Sequence, residues 1–185
     1  MNIYDPYPDS VEVDGRVYRI RTDYDSFLRA VDVQDEKGLT ALDKVEVQCR
    51  ILVRGKIPAD YGTQADIVRA VFGLLPKSSG KHEKYMDLHQ DARMIRSAFR
   101  RIGIDLTKDK IHFLQFFELL ADLPSDTALM RAIDIRRRPL PKPTKYNTEE
   151  IQALQEAKAR VALTMTDEER MERFAESLKN TTIRG

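Results

Sequence analysis

Two short segments near the N-terminus alternate apolar and polar residues in the manner of β-strands. Residues 11–13 and 17–20 carry this alternation, and Asp14-Gly15 stands between them. Because Asp-Gly between alternating segments favours a two-residue turn, the pattern predicts a β-hairpin. An isolated hairpin is only marginally stable in water, so we expect its apolar residues to lean on a helical body.

Most of the remaining chain carries apolar residues at intervals of three and four, the spacing that places them on one face of a helix. This spacing predicts helices over residues 87–102 and 109–122, another around residues 65–75, and one that follows Pro124 after a Ser125 cap. Glycine at position 103 ends the first of these, where a left-handed C-cap is expected.

Several of these stretches follow a Ser, Thr or Asn with an acidic residue three positions later, the spacing of a capping box. The pairs are Thr22 with Asp25, Thr40 with Asp43, Thr63 with Asp66, Asn147 with Glu150, and Thr166 with Glu169. Residues 45–51 alternate like a strand but follow one of these signals, so we prefer a helix there. The sequence therefore predicts a mainly α fold: a small N-terminal β-hairpin, an irregular multi-helix body and C-terminal helices.

Three prolines within residues 139–143 interrupt the helical pattern and favour an extended connector. We therefore predict a hairpin plus helical body over residues 1–138, a Pro-rich linker over 139–146, and a C-terminal helical arm over 147–185. The arm has too little apolar area to stand alone. It docks on the body, pairs with a second copy, or folds on a partner.

The predicted helix over residues 109–122 is apolar around most of its circumference. A helix of this kind is normally buried, although an exposed apolar patch would mark an interaction site. From the sequence we favour core over interface.

Composition adds few constraints on function. The 185 residues include 31 Lys and Arg against 30 Asp and Glu, so the net charge of +1 provides no global field for nucleic acid or an anionic membrane. Hydrophobic residues make up 42%, enough for a core. The single cysteine excludes an internal disulfide. No signal peptide or membrane span is visible, so we expect a protein of a reducing compartment with no membrane partner.

We find no pattern typical of catalysis or of a cofactor. No Gly-rich phosphate loop occurs, and the three histidines lack metal-ligand spacing, which favours exposed or capping roles for them. Cys49 lies in an apolar stretch and is expected to be a small core residue. The acidic residues are spaced as on helix faces. We therefore predict no catalytic residue, cofactor or metal site, and no enzyme.

One basic stripe does appear, because Arg93, Arg96 and Arg100 share a helix face. It is either a patch for anions or nucleic acid, or a solvated face whose charges pair with neighbouring acidic residues. Given the near-neutral chain, we favour the solvated face.

From position 90 onward, a series of short sequence motifs, here called words, occurs in a characteristic order and spacing. These words are Gln90-Asp91-Ala92, Ala98-Phe99, Gly103-Ile104-Asp105-Leu106, His112 to Phe116, Leu120, Leu123-Pro124 with Asp126-Thr127, and Arg136 before Pro139-Leu140. The N-terminal words are Val11 to Gly15, Tyr18, Ile20 and Thr22-Asp23-Tyr24. Through them the chain resembles a bacteriophage family from the tail-morphogenesis region, the phage gene-product-fifteen family.

The chain departs from the family pattern in two places. Phe113 and Leu114 stand where the family tends to have tryptophans, and residues 147–178 replace a basic C-terminal segment. The C-terminal helices therefore inherit little from the family.

The resemblance implies a tail assembly chaperone in the host cytoplasm, absent from the mature virion, that binds the tape-measure protein and helps recruit tail-tube subunits. It implies no catalytic residues, and a homo-oligomer is left open. Its rivals are a structural tail or connector protein retained in the virion and a helical nucleic-acid-binding module, although we do not expect nucleic acid. The candidate partner-binding residues are Phe113, Phe116, Phe117 and Leu120 in the body, and Ile151, Leu154 and Val161 in the arm.

Overall fold

The computed structural model describes residues 4–76 and 84–164. Within these residues, two strands are followed by seven α-helices, as the mainly α prediction requires. The strands are β1 (Ser10–Val13) and β2 (Arg16–Arg19), and the helices are α1 (Tyr24–Asp32), α2 (Ala41–Leu52), α3 (Tyr61–Phe72), α4 (Ala92–Arg101), α5 (Phe113–Ala121), α6 (Ala128–Arg137) and α7 (Thr148–Val161). A single 3₁₀ turn, Val33–Asp35, follows α1. The predicted continuation of the arm around residues 166–178 lies outside the described residues.

The predicted hairpin is confirmed. β1 and β2 are antiparallel, with Val11 opposite Tyr18 and Val13 opposite Arg16. Asp14 and Gly15 have φ values of 50° and 73°. Positive φ at both turn positions is what a two-residue turn of this hand requires, and Asp-Gly tolerates it. Val11 and Val13 are buried in the same cluster as residues of α1, α2 and α3, so the hairpin packs against helices, as predicted.

The capping predictions were right at one helix and displaced at others. Thr40 accepts the Asp43 N–H while the Asp43 carboxylate accepts the Thr40 N–H, a complete capping box that makes residues 45–51 helical. The predicted Thr22 cap was wrong by one residue, since Asp23 caps α1. The predicted Thr63 cap was also wrong, because Asp60 caps α3. A carboxylate accepts N–H bonds at a helix start as well as a hydroxyl does.

Two further caps differ from the sequence prediction. α6 begins after Thr127, whose hydroxyl accepts the Met130 N–H, and Ser125 is not the cap. Asn147 stands at the N-cap of α7, but its side chain holds the preceding turn instead, accepting from Thr144 N–H.

The predicted helices 87–102 and 109–122 begin later than expected. α4 starts at position 92 because the Asp87 carboxylate accepts the N–H groups of His89 and Gln90, which holds residues 87–91 in turns. α5 starts at position 113 because Asp105 and Asp109 close a separate turn before it. The predicted end of α4 is right, since Gly103 has a φ of 86°.

Contacts between Cα atoms divide the chain into two compact units. The described part of unit 1 is residues 4–76 and 103–123, and that of unit 2 is residues 84–102 and 124–164. Unit 1 therefore holds the hairpin with α1, α2, α3 and α5, and unit 2 holds α4, α6 and α7. This grouping divides the chain at positions other than the proline-rich stretch. The predicted division into body, linker and arm stays a prediction.

The core of unit 1 is built around aromatic rings. Phe27 of α1 is fully buried and stacks on Phe113 of α5, with ring centroids 4.4 Å apart. Tyr24 stacks on Phe116, and its hydroxyl donates to the Leu106 carbonyl oxygen at 2.5 Å. Stacked rings add a specific geometry to the burial of apolar area. These contacts fix α5 against α1.

The core of unit 2 is smaller. Helix α4 contributes Ile95, Ala98 and Phe99, all buried as the periodicity predicts, and α6 contributes Leu129 and Ala132. α6 contacts both α4 and α7. In the described parts of both units, no helix has the length and apolar character needed to cross a membrane.

Candidate partner-binding site

Three of the four candidate residues on α5 are buried in unit 1. Phe113 and Phe116 are essentially inaccessible to solvent, and Leu120 is buried as well. The sequence favoured burial of this helix in the core, and these three side chains are buried. Partner binding through these three side chains remains a prediction, and it would require α5 to leave the core.

The fourth candidate, Phe117, is only half-buried. Its ring meets Phe27 edge to face at 5.9 Å and Phe116 at 5.3 Å. One edge of the aromatic core thus reaches the surface at Phe117. A partner could touch this residue without opening unit 1.

His112 sets the beginning of α5. Its Nδ1 accepts the Leu114 N–H at 3.1 Å, and its Nε2 lies 3.0 Å from the Pro8 carbonyl oxygen. An accepting Nδ1 leaves the proton on Nε2, which then donates to Pro8. This confirms the capping role expected for a histidine without metal-ligand spacing.

Tyr7 ties the N-terminal segment to the same helix. Its hydroxyl donates to Glu118 Oε2 at 2.5 Å, and its ring stacks on His112. The hydrogen bond to the Glu118 carboxylate raises the pKa of Tyr7, because losing the proton would break the bond and place two negative charges together. Tyr7 and His112 therefore fasten α5 to the N-terminal segment as a structural support.

The three arm candidates lie on α7 and are all half-buried. α7 has no fully buried residue along its 14 positions. This differs from α5, which contributes four buried residues to unit 1. Ile151, Leu154 and Val161 are thus the accessible members of the candidate set, and the helix that carries them contacts α6.

Arg136 holds the end of α7 in unit 2. Its guanidinium binds both carboxylate oxygens of Asp91, at 2.7 and 2.8 Å, and its Nε donates to the Val161 carbonyl oxygen. The Arg136 carbonyl oxygen in turn accepts from Lys158 Nζ at 2.7 Å. The side chains of Arg136 and Asp91 are 9% and 2% exposed. This buried ion pair connects the start of α4, α6 and the C-terminal end of α7.

The basic stripe on α4 is exposed. Arg93, Arg96 and Arg100 all face solvent, and α4 itself contains no acidic residue. The neighbouring Arg101 forms an ion pair with Asp126. No described residue forms an ion pair with Arg93 or Arg96, so the pairing with neighbouring acids that the sequence favoured is not found for these two. The choice between a solvated face and an anion patch stays a prediction.

Reactive chemistry is limited in the residues that the structure describes. They contain no group of three His, Cys, Asp or Glu side chains arranged to hold a metal ion. Cys49 is fully buried, and burial raises the pKa of its thiol. A protonated, covered thiol is a poor nucleophile. Cys49 is the small core residue that the sequence predicted.

Sequence reasoning missed the structural roles of three polar residues. Asp91 and Arg136 were named only within the motifs of the family resemblance, and nothing local indicates their pairing. Gln48 lies fully buried in α2. A signal for it was present, because Gln48 stands three positions after Val45 and four before Leu52, where a helix with this apolar face would carry another apolar residue.

The family model that matches this chain carries the description bacteriophage Gp15 protein. The match covers residues 3–163, which include every helix and strand described above. No curated protein sequence and no solved structure matches the chain. The match spans far more than half of the chain, and it covers the words from which the resemblance was first inferred. The chain therefore belongs to the bacteriophage Gp15 protein family.

Proposed function

We propose that this protein is a phage tail assembly chaperone. In this role it binds the tape-measure protein in the cytoplasm of the infected cell, helps recruit tail-tube subunits and leaves before the virion is complete. The observation that carries the proposal is the match to a bacteriophage family over residues 3–163. The place of that family in the tail-morphogenesis region is what the sequence resemblance implies.

The physical need for such a protein follows from the nature of its client. A tape-measure protein is long, helical and rich in apolar residues, so its exposed surface drives self-association until the tube polymerises around it. A second helical protein can cover that surface by placing an amphipathic helix along it, with apolar residues three and four positions apart as anchors. Release must remain possible, which favours moderate affinity.

Helix α7 is the element of this chain that fits the task best. Its apolar residues Ile151, Leu154 and Val161 are already partly accessible, and none of its residues is fully buried. The described polar contacts that join it to α6 are those of Lys158 and Val161 with Arg136. Because α7 has no fully buried residue, opening it exposes little apolar area, and its main cost is the loss of these contacts with Arg136. It can exchange α6 for a client helix.

The direct test is co-expression of the full chain with the tape-measure protein, followed by pull-down and measurement of the soluble fraction of the client. We expect the wild-type chain to capture the client and keep it soluble. The double variant Ile151→Asp/Leu154→Asp should weaken capture by at least tenfold, corresponding to about 1.4 kcal/mol. The matched control is Gln152→Asp/Gln155→Asp, which adds the same charges at exposed positions of the same helix.

Three outcomes oppose the proposal. Failure of the wild-type chain to capture the client would reject the chaperone function. Equal capture by both double variants would remove α7 from the binding site. Detection of the chain by mass spectrometry in purified virions, at a fixed ratio to the tube protein, would support a retained structural protein instead.

A further inference from the structure

A groove of about 400 Å³ lies in unit 1, between α2 and the start of α3. Its volume is within the range of sites that hold a small ligand or a few side chains. Three apolar side chains and one aromatic ring contribute to its walls, together with three polar side chains. The lining residues are Gln34, Leu39, Ala41, Lys44, Val45, Gln48 and Tyr61.

Gln48 gives this groove a specific chemical requirement. Its Nε2 donates to the Ala30 carbonyl oxygen at 2.8 Å, which fixes the orientation of the amide and leaves Oε1 as an acceptor. Oε1 is buried and has no hydrogen-bond partner, and it is alone in this among the buried side-chain nitrogen and oxygen atoms that the structure describes. A buried acceptor without a donor destabilises the folded chain.

The described hydrogen bonds of the lining residues do not reach Gln48 Oε1. The Lys44 ammonium donates to the Gln34 carbonyl oxygen at 2.6 Å, and Gln48 Nε2 donates to Ala30. An occupant that brings an N–H group of its own would give Oε1 the donor that it lacks.

The aromatic wall of the groove is accessible, since Tyr61 is 42% exposed. Exposed aromatic side chains at a concave site are typical of protein-binding surfaces. A polypeptide matches both requirements, since each residue after an apolar side chain offers a backbone N–H.

We infer that this groove is a docking site for a short apolar segment of a partner polypeptide, with an N–H of that segment donating to Gln48 Oε1. Because Gln48 is fully buried, docking requires side chains of the groove wall to move; among these, Lys44 is half-buried and Tyr61 is exposed. Naming the tape-measure protein as this partner rests on the proposed function. The chemistry of the groove does not depend on that name.

The first experiment tests the groove without any partner protein. Isotope-labelled full-length chain is titrated with 4-methylpentanamide, which carries a branched apolar group and N–H donors. A parallel titration uses the N,N-dimethyl derivative, which keeps the apolar group and the carbonyl but has no N–H. We expect the Gln48 side-chain amide signals to shift with the primary amide at a Kd on the order of millimolar, and at least fivefold more weakly with the derivative. Equal shifts with both probes, or no shift with either, would overturn the inference.

The second experiment places a block in the groove. Ala41 is exposed and lines the groove, so Ala41→Trp fills it without overpacking the core. Ala121→Trp, at an exposed position in the same unit and outside the groove, is the matched control. In the co-expression assay with the tape-measure protein, we expect capture to fall at least fivefold for the first variant and to stay within twofold for the second.

The outcomes separate the two proposals. If both tryptophan variants capture the client as the wild-type chain does, the groove is not its docking site and the chaperone function stands. If the wild-type chain captures no client, the chaperone function fails and the amide titration alone decides on the groove. Circular dichroism of both variants confirms that each remains folded.

Discussion

The ion pair of Asp91 and Arg136 shows how strongly the stability of this molecule depends on single side chains. Both are almost completely buried, and the guanidinium is bound by the carboxylate and by two backbone carbonyl oxygens, those of Tyr85 and Val161. Moving two charges out of water is costly, and the cost is met only while all these partners are present. Removing one partner leaves the other charge uncompensated.

We therefore expect Asp91→Asn to lower the free energy of unfolding by about 3–5 kcal/mol. The matched control is Glu46→Gln, which breaks the exposed pair with Arg50 and should cost about 1 kcal/mol or less. Urea denaturation followed by circular dichroism measures both. A loss for Asp91→Asn no larger than the loss for the control would show that the pair is not a structural centre of unit 2.

The caps give a second prediction for single side chains. Thr40→Ala should cost about 1 kcal/mol because it removes the hydroxyl that accepts the Asp43 N–H. At α3, the cap is Asp60, and Thr63 only adds a hydroxyl bond to it. Asp60→Ala should therefore destabilise more than Thr63→Ala in thermal melting. If Thr63→Ala were the more destabilising of the two, Thr63 would be the cap of α3, as the sequence pattern indicated.

At the scale of whole elements, α5 and α7 are packed differently, although the sequence placed candidate partner-binding residues on both. α5 supplies buried rings to unit 1, while α7 stays half-accessible on α6. An apolar stripe indicates that one face of a helix is covered, but not which element covers it or how completely. The extent of burial depends on how many apolar side chains other helices place against that face.

Phe117→Asp tests the assignment of α5 to the core. A carboxylate at this position would sit at the edge of the ring cluster formed with Phe27 and Phe116. We expect a loss of about 3 kcal/mol or more, since a charge replaces a half-buried ring. Ala121→Asp, exposed at the end of the same helix, should cost about 1 kcal/mol or less. Urea denaturation compares them, and equal losses would contradict the packing described for α5.

At the scale of the whole molecule, carboxylates that hold the structure together set its response to acid. The Thr40 side chain and backbone N–H lower the pKa of Asp43, and the backbone N–H and hydroxyl of Thr63 lower the pKa of Asp60. Since each pKa is lower in the folded chain than in the unfolded chain, the unfolded chain binds protons first as pH falls. The stability these groups provide is present above their ordinary pKa of about 4 and is lost below it.

We therefore expect the urea midpoint to fall as pH drops from about 4 towards 2, through the lowered pKa values of these two carboxyls. The variant Thr40→Ala/Asp60→Asn should show a flatter decline over this range, because it lacks one stabilised carboxylate and the hydroxyl that stabilises the other. A decline of unchanged steepness in the variant would show that other groups control acid unfolding.

Much of the fold was readable from local patterns. Asp14-Gly15 predicted the hairpin turn, Thr40 with Asp43 predicted a complete capping box, and Gly103 predicted the end of α4. These signals act between residues at most four positions apart. The errors at α1, α3 and α6 were also local, because several residues near a helix start compete to accept the same N–H groups.

The candidate binding site was much less predictable. Periodicity found the apolar residues of α5 and α7 but could not tell Phe113, which is fully buried, from Ile151, which is not. It gave no sign of the groove, whose lining comes from the segment before α2, from α2 itself and from the start of α3. Burial depends on what other parts of the chain bring to the same place.

By itself, the sequence determined the helical class, the hairpin, several helix ends and membership of the bacteriophage family. Only the tertiary structure decided which apolar faces are covered, that Asp91 meets Arg136, and that Gln48 keeps a buried oxygen without a partner. The physical reason is range. Helix periodicity, capping and turn geometry depend on neighbours along the chain, whereas burial and long-range pairing depend on residues that only folding brings together.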